Sequence, residues 1–173
     1  MTLYKIAIVG PESSGKSRLA SELARDYTSE WVPEFARFYL DRLDRPYTQD
    51  DLLQIAKAQV NWESEKAEYA NKYLFCDTTL LVIKIWSEIK YGKVDRWIVE
   101  QLEHQHYDHY LLCDVDLPWQ PDEQREHPDL GDRKMLFTLY KDYLESGNYN
   151  YTIVSGIEGD RLNAAMQGIS YLK

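Results

Sequence analysis

The sequence predicts an α/β protein in which a parallel sheet of about five strands is covered by helices on both faces. Short apolar runs of strand length alternate with segments of helical period along the chain, which is the pattern of β-α-β units. Residues 10–17 (Gly-Pro-Glu-Ser-Ser-Gly-Lys-Ser) fit the phosphate-loop pattern G-x-x-x-x-G-K-S/T, directly after the first apolar run and before the first helical segment. Together these observations predict the three-layer sandwich of P-loop NTPases.

Length and composition indicate one folded domain, covering residues 1–173. Apolar residues at 44% and charged residues at 28% exclude the disordered and collagen-like classes. The net charge of −9 provides no general basic surface for nucleic acid or an anionic membrane, so an anionic ligand must bind at a local positive site. Neither a signal peptide nor an apolar run of membrane-spanning length is evident, and we therefore expect a cytoplasmic protein.

Five apolar runs predict the strands of the sheet. They lie at residues 3–9, 31–33, 73–76, 110–113 and 151–155. The first run leads into the glycine-rich turn, the second ends at Pro33, and the third runs into Asp77. Each run is short and rich in apolar residues, as expected for strands that are buried on both faces.

Helical period between these runs predicts the covering layers. The segments lie at about 15–27, 34–44, 48–69, 79–91, 95–103, 133–145 and 159–171. The second of them is interrupted near residues 45–46. Thr48, followed three residues later by Asp51, resembles a capping box with Asp in place of Glu. Asp77 and Thr78 can cap the helix that begins at Thr79, and Gly92 is a typical helix stop.

A long loop follows the fourth strand. The stretch from Asp114 to Gly131 contains three prolines and no helical period. Loops of this length in compact domains are usually functional. We predict a lid at about 114–133 that excludes water and brings Arg125 and Arg133 to a transferring phosphoryl group, although either arginine can instead be a surface charge.

The phosphate loop predicts binding of a nucleoside triphosphate, ATP, with Mg²⁺. Its glycines let successive backbone N–H groups wrap phosphate oxygens at the start of a helix. Lys16 is expected to reach the β- and γ-phosphates and act in catalysis, and the Ser17 hydroxyl to hold Mg²⁺. The predicted nucleotide-binding residues are Gly10, Glu12, Ser13, Ser14, Gly15, Lys16, Ser17 and Arg18.

A P-loop enzyme also needs a carboxylate on a second strand to organise the metal. Asp77 is the best candidate, because it follows an apolar strand at the sheet edge where α/β proteins bind ligands. Its alternative role is helix capping, which is compatible with metal binding. Asp114 and Asp116, just after the fourth strand, are the alternative metal partners.

Two classes of P-loop protein remain open, a small-molecule kinase and a regulatory NTPase switch. A GTPase switch would carry the guanine-reading motif N-K-x-D, whereas Asn71-Lys72-Tyr73-Leu74 lacks the Asp and precedes a strand. The sequence therefore favours a small-molecule kinase.

The chain resembles the ribosylnicotinamide kinase (nicotinamide riboside kinase) domain at the carboxyl end of bacterial bifunctional NAD-biosynthesis proteins. Four segments carry the resemblance: residues 10–17; residues 31–37; Asp77-Thr78-Thr79 with residues 84–88; and residues 116–119 with Asp122, Arg125 and Pro128. The last three are more specific than the phosphate loop. Because the chain opens on the first strand of the kinase, we expect a standalone domain without the adenylyltransferase or DNA-binding activities of the longer proteins.

The resemblance implies phosphorylation of nicotinamide riboside by ATP, with the small riboside as partner and neither nucleic acid nor membrane. It favours Glu34 as a carboxylate for the ribose hydroxyls and Arg37 near the phosphate, over a plain surface ion pair between them. An acidic pocket built from Glu34, Asp114 and Asp116 would suit the cationic substrate. Another nucleoside or small metabolite is the alternative acceptor.

Two tryptophans, Trp86 and Trp119, are candidates to stack on the cationic pyridinium ring of this substrate. Trp86 lies in an apolar helix, where core packing is the alternative role, whereas Trp119 lies in a polar loop. Outside the site, Cys76 and Cys113 are expected to be buried, reduced thiols. The close histidines, His104, His106 and His109, predict a surface cluster rather than a zinc site.

Overall fold

The structure is a computed structural model and describes residues 2–173. Its five parallel strands form one sheet in the order β2-β3-β1-β4-β5. The strands are β1 Tyr4–Val9, β2 Glu30–Val32, β3 Tyr73–Asp77, β4 His109–Cys113 and β5 Tyr151–Val154. The predicted fold class is confirmed, and all five strands lie where the apolar runs placed them.

Helices cover both faces of the sheet, as predicted. They are α1 Lys16–Asp26, α2 Phe35–Leu40, α3 Gln49–Ala67, α4 Leu80–Tyr91, α5 Arg96–His104, α6 Leu130–Ser146 and α7 Gly159–Gly168. Successive strand residues point to opposite faces. Ile6 and Ile8 of β1 therefore pack with α1 and α7, while Ala7 and Val9 pack with α3 and α4.

Local end signals set several helix boundaries. The Thr48 backbone N–H donates to the Asp51 carboxylate at 2.7 Å, which confirms the capping box at the start of α3. Gly92 ends α4 in the left-handed region with a φ of 66°. Helix α6 starts three residues earlier than predicted, because the Asp129 side chain accepts a hydrogen bond from the Asp132 N–H and caps it. The loop after β4 is correspondingly shorter.

Several residues outside the site are buried. Cys76 and Cys113 are buried free thiols in β3 and β4. The prediction of a histidine surface cluster is wrong for His109, which is only 4% exposed in β4 and lies within hydrogen-bonding distance of Tyr171 and Thr152. Burial lowers the pKa of His109 to about 4. Within residues 2–173, the helices are too short or too polar to cross a bilayer.

Candidate active site

The phosphate loop connects the central strand β1 to α1. Gly10 lies so close to β4 that a Cβ atom there would stand 2.7 Å from the Cys113 carbonyl oxygen. Gly15, with a φ of 81°, adopts the left-handed conformation that lets the chain enter α1. The Lys16 Nζ donates to the carbonyl oxygens of Gly10 at 3.0 Å and Pro11 at 2.8 Å. The loop backbone therefore curls around the Lys16 ammonium group at the N-terminus of α1, which is a favourable site for phosphate.

Asp77 stands beside this loop because β3 pairs with β1 and places Asp77 opposite Ile8. The side chain is fully buried, and neither carboxylate oxygen has a hydrogen-bond partner. Burial and the negative charge of Glu34 together raise the pKa of Asp77 to about 6, against the opposing effects of the Lys16 charge and the nearby Ser17 and Thr78 hydroxyls. The unpaired carboxylate oxygens are suited to a bound cation.

A cavity of about 380 Å³ extends from the phosphate loop beneath the lid. This volume lies within the usual range for small-molecule sites. Its apolar walls come from α4 and α6, through Val82, Ile85, Trp86, Ile89, Leu136 and Tyr140. Glu34 and Arg37 supply polar groups from the start of α2. The cavity thus joins a phosphate site to a mostly apolar chamber with a few polar groups.

Arg37 pairs with the lid. Its Nη1 donates to the Asp122 carboxylate at 2.8 Å, so the partner of Arg37 in this structure is Asp122 and not Glu34. Hydrogen bonds to the Gln124 N–H and to Arg37, together with the positive charge of Arg37, lower the pKa of Asp122 more than partial burial raises it. Glu34 is the N-cap residue of α2 and lines the cavity. Arg37 therefore contacts the lid and Glu34 lines the cavity, although the two residues lie on one helical turn.

The two candidate tryptophans occupy different surroundings. Trp86 lines the cavity and donates from its indole Nε1 to the Tyr47 hydroxyl at 2.8 Å. Trp119 lies near two guanidinium groups, with the ring centre 5.4 Å from the Arg133 Cζ and 5.9 Å from the Arg125 Cζ. Among the described residues, the cavity walls include Trp86 and omit Trp119.

The lid lies closed over the phosphate loop. The Glu12 carboxylate accepts hydrogen bonds from the backbone N–H groups of Glu126 at 3.0 Å and His127 at 2.9 Å. The Ser13 hydroxyl accepts one from the Gln120 N–H at 3.0 Å. Two side chains of the phosphate loop thus hold the lid through its backbone.

A second set of contacts ties the lid to the far side of the cavity. Glu126 accepts from the Tyr47 hydroxyl at 2.8 Å and from Lys90 Nζ at 2.5 Å. Tyr47 is the same residue that accepts from Trp86. Sequence reasoning missed Tyr47 and Lys90, because they lie 79 and 36 residues from Glu126 and share no recognisable spacing with it.

The two lid arginines are placed differently. Arg125 lies 3.5 Å from the Ser13 hydroxyl and so stands at the phosphate loop. Arg133 lies in the first turn of α6 instead of the loop and is only 4% exposed. Its Nε and Nη1 have no hydrogen-bond partner. A buried guanidinium with free donors is suited to an anionic ligand.

The remaining predicted residues stand at the rim or outside the cavity. Arg18 lines the cavity and pairs with Glu22 at 2.8 Å on the exposed face of α1. One Asp114 carboxylate oxygen accepts from the Val115 N–H at 2.7 Å. The Asp116 carboxylate accepts from Arg161 and from the Gly156 N–H. Asp77 is therefore the freer of the candidate metal carboxylates, and Arg161 is a buried contact that sequence reasoning missed.

The parallel sheet and the phosphate loop at the end of its central strand define a P-loop NTPase fold. The family model AAA_28, described as an AAA domain, matches residues 5–161. The chain belongs to this family.

A curated relative matches most of the length of this chain. The chain is 28% identical over 161 residues to the trifunctional NAD biosynthesis/regulator protein NadR of Salmonella typhimurium, covering 90% of this chain and 39% of that protein. It thus spans about two fifths of the relative's length.

Two solved structures share the fold. A NadR protein in complex with NR has a TM-score of 0.72 and 19% identity, with 98% of this chain and 51% of that chain covered. A deoxyadenosine kinase from M. mycoides has a TM-score of 0.63 and 15% identity, with 96% and 99% covered.

Proposed function

We propose that this protein is a kinase that transfers the γ-phosphoryl group of ATP to the 5′-hydroxyl of nicotinamide riboside. The hydroxyl oxygen forms a bond to the γ-phosphorus while the bond from that phosphorus to the β,γ-bridging oxygen breaks. The products are nicotinamide mononucleotide and ADP. The observation that carries the proposal is a cavity that begins at the phosphate loop and contains both an aromatic wall, Trp86, and a carboxylate, Glu34.

The phosphate end of this cavity suits MgATP. Lys16 and the backbone of the phosphate loop would bind the phosphates, and Ser17 with Asp77 would hold Mg²⁺. The two unpartnered oxygens of buried Asp77 fit a hard cation that prefers oxygen ligands. When bound, Mg²⁺ neutralises charge on the phosphates. Arg125 and Arg133 would add positive charge from the lid side.

The acceptor end suits a cationic riboside. Glu34 would accept hydrogen bonds from ribose hydroxyls, and its negative charge favours a positively charged ring. Asp77 would organise Mg²⁺ or, where the metal does not engage it, accept the hydroxyl proton; its raised pKa of about 6 in the metal-free protein suits the second role near neutral pH. The closed lid would exclude water, which otherwise competes as acceptor.

Trp86 is better placed than Trp119 to stack on the pyridinium. A cationic ring at Trp119 would compete with two guanidinium groups for the same aromatic side chain. A cation over a tryptophan face is stabilised by about 0.5–2 kcal/mol. Trp86 lines the cavity without an arginine neighbour of this kind among its described contacts.

Trp86→Leu is expected to raise the KM for nicotinamide riboside by about 2–30-fold, the equivalent of losing this attraction, and to leave the KM for ATP nearly unchanged. The preference for nicotinamide riboside over a neutral isostere should shrink by a similar factor. Steady-state kinetics with both acceptors measure these values. Leucine keeps apolar volume, and the melting temperature checks for damage to the fold.

Trp97→Leu is the matched control, because Trp97 lies on α5, away from the cavity walls, and contacts Lys57. It should leave the acceptor KM unchanged. The assignment of Trp86 is contradicted if Trp119→Leu, and not Trp86→Leu, removes the discrimination between the cationic and neutral acceptors.

A further inference from the structure

Arg161, in the first turns of α7, is a buried arginine that no sequence motif singled out. It is 6% exposed. Its Nη1 donates to the Ser14 carbonyl oxygen at 2.9 Å, and its Nε donates to the Gly156 carbonyl oxygen at 2.9 Å. Its Nη2 donates to the Asp114 carbonyl oxygen at 3.0 Å and to the Asp116 carboxylate. One side chain therefore binds the backbone that follows β1, β4 and β5.

The contact with Ser14 controls one peptide of the phosphate loop. The peptide between Ser14 and Gly15 is planar and trans, so its carbonyl oxygen and its N–H point in opposite directions. Because the oxygen points at Arg161, the Gly15 N–H points away from Arg161. Gly15 lines the cavity, and its N–H belongs to the set of donors at the start of α1.

The Ser14–Gly15 peptide can rotate easily, because it is followed by the flexible backbone of Gly15. Gly15 has a φ of 81°, and glycine populates both signs of φ with little difference in energy. Rotation of the Ser14–Gly15 peptide would turn the carbonyl oxygen toward the phosphate and the N–H away. A carbonyl oxygen in that place would repel an anion, and the buried guanidinium opposes this rotation.

We propose that Arg161 is a positioning residue that keeps the Ser14–Gly15 peptide in its phosphate-binding orientation. The inference rests on one part of the proposed function, the binding of phosphate at the phosphate loop. It does not depend on which acceptor the enzyme phosphorylates. Arg161 touches no substrate atom in this role and acts through the backbone of the loop. The same side chain also joins three strand ends, so its loss must be separated from a general loss of stability.

The test measures phosphate affinity directly, by calorimetric titration of the full chain with ATP and with inorganic tripolyphosphate. Arg161→Met removes all four hydrogen bonds and keeps much of the side-chain volume. We expect this variant to bind both ligands with about tenfold lower affinity, measured at a temperature where it is fully folded. Arg161→Lys keeps the charge with fewer donors and should give an intermediate loss, and it carries the test if Arg161→Met does not fold.

Leu102→Ala on α5 is the matched control for stability, because Leu102 is a buried core residue outside the cavity walls. It should lower the melting temperature and leave both affinities unchanged. Wild-type affinity in a folded Arg161 variant would overturn the proposal, as would an equal loss in Leu102→Ala. The titrations contain no riboside, so their result is separate from any failure of the proposed acceptor.

Discussion

Lys16→Ala is expected to lower turnover by about 10²–10³-fold, which is typical for loss of one group that stabilises charge in the transition state. Lys16 would be the one side chain of the phosphate loop that carries a positive charge to the β- and γ-phosphates. In this structure its Nζ instead holds the carbonyl oxygens of Gly10 and Pro11, contacts that a bound phosphate can replace. Single-turnover and steady-state ADP release measure the loss.

The fold should survive this substitution, because Lys16 packs at the edge of the cavity and outside the two core clusters. Circular dichroism and the melting temperature check this expectation. Lys141→Ala, which removes a surface lysine paired with Glu145 on α6, is the matched control and should keep wild-type turnover. Turnover close to wild type in Lys16→Ala would contradict the assignment of the phosphate loop.

Asp77→Asn is expected to have the second-largest effect. The amide keeps the shape of the side chain and removes the charge that would organise Mg²⁺, so turnover at saturating ATP should fall by about 10²–10³-fold. Affinity for metal-free ATP should change little, because Asp77 contacts no phosphate in this proposal. Mg²⁺ titrations of activity and of nucleotide binding separate the two effects. Unchanged Mg²⁺-dependent turnover would contradict the role of Asp77.

The same substitution should change the stability of the metal-free protein in a pH-dependent way. Because burial raises the pKa of Asp77 to about 6, above the ordinary value of 3.8, the folded state binds this proton more tightly than the unfolded state. The contribution of Asp77 to stability is therefore lost as the pH rises from about 4 to about 6.

Asp77→Asn removes this dependence. The melting temperature of the variant minus that of wild type should therefore be larger at pH 7.5 than at pH 4. All other titrating groups are common to both proteins, and the difference isolates Asp77. A difference in melting temperature between variant and wild type that stays constant across this pH range would contradict the raised pKa.

Much of the fold was predictable because its signals are local. Apolar runs of strand length, the turn at residues 10–17, and end signals such as Thr48 with Asp51 each act within a few residues of sequence. The sheet order β2-β3-β1-β4-β5 was not predicted, since it depends on which strands pair across long separations. The predicted start of α6 is three residues late, because the cap at Asp129 lies at the end of an irregular, proline-containing loop.

The candidate site divides in the same way. The positions of Lys16 and Asp77 follow from a motif and from the end of a strand, and the structure brings both to one edge of the sheet. Contacts made across the chain carried no such signal. Arg161 reaches Ser14 across 147 residues, and Arg37 reaches Asp122 across 85. These pairings depend on side-chain geometry in the folded protein, which spacing along the sequence does not encode.

Phosphoryl transfer to nicotinamide riboside is the central claim, and an ADP-release assay across a riboside panel tests it most directly. The panel contains nicotinamide riboside, thymidine, uridine and adenosine, each with MgATP, and mass spectrometry identifies the phosphorylated product. We expect the highest kcat/KM for nicotinamide riboside, with one nicotinamide mononucleotide formed for each ADP. A higher kcat/KM for thymidine, uridine or adenosine would contradict the claim and identify a kinase for another nucleoside.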